Sequence, residues 1–115
     1  MHENNVSNCK VNNPYWVATG IMVYDAADAV NILDNSVADC DTGIAVISPS
    51  FDLVDGNVVT GCTWDGIRLG WPVDNCTVSN NIISNNWASI GVWDASDNTI
   101  ENNIVKSNEY GIIVD

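Results

Sequence analysis

The chain has 115 residues, 46% of them hydrophobic, which is enough for one domain with a core. Fifteen acidic residues face three basic ones, and the resulting formal charge of −12 repels phosphate backbones, so nucleic acid is not an expected partner. No apolar run approaches the roughly 18 residues of a membrane span, and no membrane insertion is expected.

The opening residues, MHENNVSNCK, carry neither the basic nor the apolar region of a signal peptide. From Gly20 a short phrase begins to recur: GIMV, then GIAV from Gly43, GIRL from Gly66, SIGV from Ser89 and GIIV from Gly111, at intervals of 23, 23, 23 and 22 residues. A unit of this length cannot bury its own apolar face and does so by stacking on the next copy. A second phrase precedes each Gly-Ile: VNILDNSV over 30–37, LVDGNVV over 53–59, TVSNNII over 77–83 and TIENNIV over 99–105. Apolar residues then fall into columns. Val11, Ile32, Val54, Val78 and Ile100 make one, and Val37, Val59, Ile83 and Val105 a second. The Gly-Ile phrase adds Ile21, Ile44, Ile67, Ile90 and Ile112, and Val23, Val46, Leu69, Val92 and Val114.

Each phrase alternates with period two over four or five residues rich in Ile and Val, which predicts short strands and no helix. The expected fold is all-β: a parallel β-helix of about five coils of roughly 22–23 residues, with three short strands per coil. Residues 1–115 are expected to form a single β-helix domain. The repeat runs from Asn8 and stops in mid-phrase at Asp115, as in a fragment of a longer solenoid. Bare strand edges at both ends would then invite end-to-end self-association.

Between the first two strands lies a column of asparagines, Asn35, Asn57, Asn81 and Asn103. Asn tolerates the left-handed backbone of a sharp bend, and its amide can bond to the coils above and below as a structural ladder. Cys40, Cys62, Asn86 and Asn108 mark the next bend. Equivalent residues of stacked coils lie about 4.8 Å apart, so Cys40 and Cys62 can either form a disulfide or stack as reduced thiols. Cys9 and Cys76 share a phrase, N-C-K-V and N-C-T-V, three coils apart.

The phrases N-N-I-V-x-x-N-x-x-G-I-x-V over 102–114 and S-N-N-I-I-S-N-N over 79–86 resemble the right-handed parallel β-helix repeats of the pectin-lyase-like superfamily. The likeness is to its Asn-rich group, which includes periplasmic copper-accessory proteins of the NosD type. It implies a right-handed solenoid in an extracellular, periplasmic or cell-surface setting, and leaves function open because that superfamily mixes enzymes, binding modules and spacers.

Function in a solenoid resides on its outward rows. One row is Met22, Ala45, Arg68, Gly91 and Ile113, and the next is Tyr24, Ile47, Gly70, Trp93 and Asp115. Small neighbours leave Arg68 open in a shallow trough, with Trp93 beside it, Trp64 and Trp87 in adjacent coils, Asp65 after Trp64, and Trp71 in the turn beyond. Aromatic faces beside an Arg suit a sugar chain, and the Arg itself suits a uronate. Alternatively, Trp64 and Trp87 simply pack on each other and Arg68 pairs with Asp65 at the surface. An acidic turn is the second candidate: Asp25 and Asp28 match Asp94 and Asp97, with Asp74 expected beneath Asp97. Such a cluster suits calcium, while Asp at turns also bonds its own backbone.

With His2 the sole histidine, no nucleophilic triad is available, and soft or imidazole ligands for copper are scarce. No catalytic residue is assigned, and apart from calcium no cofactor is expected. The reading is an extracellular β-helix module that binds polysaccharide on its aromatic and acidic face. The alternatives are a passive structural or adhesive repeat, and the core of a lyase or hydrolase whose catalytic coils lie outside this segment.

Overall fold

A computed structural model of the chain describes residues 1–11, 17–49 and 51–115. The leading strands are β1 (Asn5–Ser7) and β2 (Thr19–Tyr24). Four complete coils follow, each with two three-residue strands and one longer one. They are β3 (Asn31–Leu33), β4 (Ser36–Ala38) and β5 (Thr42–Ile47), then β6 (Leu53–Asp55), β7 (Val58–Thr60) and β8 (Asp65–Gly70). The third is β9 (Thr77–Ser79), β10 (Ile82–Ser84) and β11 (Ala88–Trp93), and the last is β12 (Thr99–Glu101), β13 (Ile104–Lys106) and β14 (Tyr110–Val114). A parallel bridge from His2 to Leu33 adds a first turn to these four.

Strands at equivalent places in successive coils pair in parallel, giving three sheets in the orders β1-β4-β7-β10-β13, β2-β5-β8-β11-β14 and β3-β6-β9-β12. The register is that of the sequence columns. Ile21, Ile44, Ile67, Ile90 and Ile112 are successive partners, as are Ile32, Val54, Val78 and Ile100. The three inner faces meet in one core, where Ile32, Ile44, Ile67, Leu69, Ile83 and Ile90 are completely buried. Each contributes roughly 1.5–3 kcal/mol by leaving water. Ile112 keeps the register but is 49% exposed, because β14 is an edge strand with a neighbour on one side only.

The glycine that opens the Gly-Ile phrase is required by close stacking. A Cβ on Gly43 would stand 2.4 Å from both the Gly66 carbonyl oxygen and Val59 Cγ1. In the next coil but one the position is Ser89, whose hydroxyl donates to the Gly111 carbonyl at 2.7 Å.

The asparagine ladder spans the first bend. Asn57 Oδ1 accepts from the backbone N–H and the side-chain amide of Asn35 at 2.8 and 2.9 Å, and Asn81 and Asn103 repeat this one coil further each time. Asn4 extends the column, donating twice to Asn35 Oδ1. The left-handed residue is the one before each ladder member: Glu3, Asp34, Gly56, Asn80 and Asn102. The ladder amides are therefore anchors, and their predecessors make the bend. A second ladder joins Cys62 N–H to Asn86 Oδ1 and Asn86 to Asn108.

The first turn departs from the expected register. Asn5 pairs with Ser36, 31 residues on, whereas Thr19 pairs with Thr42, 23 residues on, so the link between β1 and β2 carries eight extra residues. Val6 heads the Val37 and Val59 column, and Val11 does not head that of Ile32, since the bridge from His2 to Leu33 sets Met1 at that place; Val11 is exposed. Cys9 consequently stacks with Cys40, since Asp41 N–H donates to the Cys9 carbonyl, and does not share a column with Cys76. Cys40 and Cys62 are free thiols, so the disulfide that their spacing allowed is not formed; both are buried in the stacked arrangement.

Candidate functional site

The outer face of the β2-β5-β8-β11-β14 sheet carries the candidate site. Arg68 lies opposite Ala45 and Gly91, and Trp93 opposite Gly70, as the outward rows require. Strict alternation sends Asp65 inward with Ile67 and Leu69, but the pairing skips the Gly66 position and the carboxylate reaches outer-face partners instead. Its Oδ2 accepts from the Trp93 indole N–H at 3.1 Å and stands 3.6 Å from Arg68 Nη1. The Arg68 guanidinium lies 5.7 Å from the centre of the Trp93 ring, within cation–π range. Gly91 makes the fit possible, because a Cβ there would stand 2.4 Å from the Trp93 nitrogen and 2.8 Å from Asp65 Oδ1.

Asp65 is 1% exposed, and among the described residues its Oδ1 has no hydrogen-bond partner. Burial pushes its pKa up from the ordinary carboxylate value, and the Trp93 N–H and the Arg68 charge offset this only in part. The surface ion pair weighed from sequence is thus a pair between a half-exposed Arg and a buried carboxylate. Trp64 and Trp87 do pack together, edge to face at 5.9 Å, and Tyr110 extends the series at 5.1 Å from Trp87.

These residues surround a depression of about 310 Å³ lined by Trp64, Asp65, Arg68, Trp87 and Trp93, with Val17 on its rim. Val17 and Arg68 are shared with a second hollow of about 180 Å³ that reaches Thr42, Ala45 and Met22. Ile47 joins that one to a third, of about 330 Å³, which holds Tyr24, Asp25, Trp71 and Pro72. The seven residues expected to contact ligand therefore divide. Five line one depression, and Tyr24 and Trp71 lie together at the other end of the same trough.

Sequence reasoning missed Thr42 and Asp41. Thr42, one coil below Asp65 on the same row, is buried, with its hydroxyl unpartnered among the described residues. The signal was the residue directly before each Gly of the Gly-Ile phrase. Asp41 Oδ2 accepts from the backbone N–H groups of Val11 and Ala18, at the two ends of the long link beside the trough. Burial raises its pKa, but those two amides, the Thr63 hydroxyl and Lys10 outweigh this and hold it below the usual carboxylate value.

The acidic turn does not gather. Asp74 accepts from the backbone N–H and hydroxyl of Ser96, and so stacks on Ser96 rather than Asp97. Asp25, Asp94 and Asp97 are left-handed turn residues, a role that accounts for their type. Among the described residues no three His, Cys, Asp or Glu side chains converge where an ion could be held, so neither Asp74, Asp94 and Asp97 nor any other such group offers calcium a site.

A parallel β-solenoid with an aromatic trough on one outer sheet is the class of protein that this fold and site define. The whole chain, residues 1–115, matches the family model described as "Periplasmic copper-binding protein (NosD)", and the chain belongs to that family. The family is periplasmic, which sets the chain outside the cytoplasm. Neither a curated protein nor a solved structure matches it.

Among the described residues the donors do not fit the copper in that description. Burial pushes the Cys62 thiol up to about 11 and the Cys76 thiol up to about 12, so neither is a thiolate at neutral pH. Burial also raises Cys40. His2 is exposed beside Glu3 and Asp34, with no thiol in the group.

Proposed function

We propose that this chain is a polysaccharide-binding β-helix module acting outside the cytoplasm. The observation that carries the reading is the convergence of Trp64, Trp87 and Trp93 with Arg68 on one depression, continued along the sheet to Tyr24 and Trp71. Indole faces cover the apolar faces of pyranose rings at low entropic cost, and an elongated trough takes several sugar units of a chain. Arg68 adds N–H donors for sugar oxygens. Catalysis has little support here. Among the described residues Asp65 is the one carboxylate lining the main depression, where glycoside hydrolysis ordinarily uses a pair.

Titration calorimetry with a panel of hexasaccharides tests the reading. At least one should bind with a millimolar or better Kd, and Trp93→Ala should weaken it by about tenfold, the scale of one well-placed ring contact. No binding by any panel member at millimolar concentration would leave the passive structural repeat as the better account.

A further inference from the structure

We infer that the trough selects uncharged polysaccharide and rejects uronate chains, because Arg68 is already neutralised by Asp65 and keeps its free N–H groups for neutral sugar oxygens. This deepens the polysaccharide reading and rests on it. An arginine beside aromatic rings ordinarily suggests an acidic sugar. Here its charge is matched 3.6 Å away by Asp65 Oδ2, and its guanidinium faces the Trp93 ring. A uronate carboxylate reaching Arg68 would meet a second negative charge at similar range and would displace one of these contacts. Among the described residues lining the trough there is no second Lys or Arg, and the other carboxylate is Asp25.

Neutral sugar oxygens find donors at the same place. Arg68 keeps N–H groups free for neutral ring and hydroxyl oxygens, since at 3.6 Å its contact with Asp65 is an ion pair rather than a hydrogen bond.

The test compares cellohexaose and mannohexaose with hexagalacturonate by calorimetry, in EDTA, at 0.15 M and 0.5 M sodium chloride. The higher salt screens the long-range repulsion from the net charge of −12, leaving the local pairing at Arg68 as the discriminating term. A neutral hexamer should bind at least about tenfold more tightly than hexagalacturonate at both salts. Asp65→Asn, which keeps an acceptor for the Trp93 N–H, frees Arg68 and should narrow or reverse that gap by about tenfold. Uronate binding that equals or exceeds neutral binding in the wild type overturns the inference and leaves the polysaccharide reading standing. Failure of all three sugars to bind removes both. If Asp65→Asn does not fold, Arg68→Ala replaces it. Loss of neutral-sugar affinity without any gain for uronate is then the expected result, and a selective loss of uronate binding overturns the inference.

Discussion

Two buried aspartates of this chain carry opposite pH signatures. Asp65 has a raised pKa, so the folded chain holds its proton to higher pH than the unfolded chain does. Its contribution to stability therefore declines as pH rises from about 4 through the raised value, and is least favourable above it. Asp41 has a lowered pKa, and its contribution is present above the unfolded value of about 4 and is lost as pH falls through the lowered one. Urea midpoints measured across acidic pH should show wild type losing ground to Asp65→Asn as pH rises. Against Asp41→Asn, wild type should lose ground as pH falls below about 4. Parallel curves for the three proteins would contradict both assignments. The thiols make a second test at this scale. Cys9 is partly exposed, whereas Cys40, Cys62 and Cys76 are buried. An aromatic disulfide reagent at pH 8 should label one thiol quickly in the folded chain and all four in urea, and rapid native labelling of Cys62 or Cys76 would contradict their burial.

At the scale of the coil, stability rests on columns, and the position of a residue within its column sets what its loss costs. Ile67→Ala opens a cavity in a central coil and should cost about 2–5 kcal/mol, whereas Ile112→Ala, half-exposed on an edge strand, should cost well under half as much. Asn57→Ala strips the acceptor from the Asn35 N–H and the donor from the Ile32 carbonyl, for an expected loss of roughly 2–4 kcal/mol. Chemical denaturation of the three variants checks that order, and equal costs for Ile67 and Ile112 would contradict the stacking. These columns were readable beforehand because each coil repeats the same apolar phrase and parallel pairing keeps equivalent residues in line. The register failed where that logic was interrupted. The phrase N-C-K-V at Cys9 imitates N-C-T-V at Cys76, and only the length of the β1–β2 link shows that Cys9 belongs with Cys40. The burial of Asp65 was equally hidden, since the sequence reading made it a surface partner of Arg68 and only the packing of Trp93 and Gly91 against it encloses the carboxylate. Arg68, Trp64, Trp87 and Trp93 could be grouped in advance, because outward rows follow from the same repeat.

Taken as a whole, the molecule is an apolar stack inside a strongly acidic surface. That surface repels itself, so added salt should raise the melting temperature until screening is complete; a flat or falling profile would contradict this. Among the described residues the trough is where a cation and three indoles meet, and on it rests the claim that this solenoid binds a polysaccharide chain. Titrating cellohexaose or mannohexaose into the ¹⁵N-labelled chain tests that claim most directly through the indole N–H signals. The Trp93 signal, held by Asp65, should move together with those of Trp64 and Trp87, while amides of β4, β7 and β10 on another sheet stay in place. Indole signals that do not move with either sugar, or shifts centred on the β1-β4-β7-β10-β13 sheet, would contradict it.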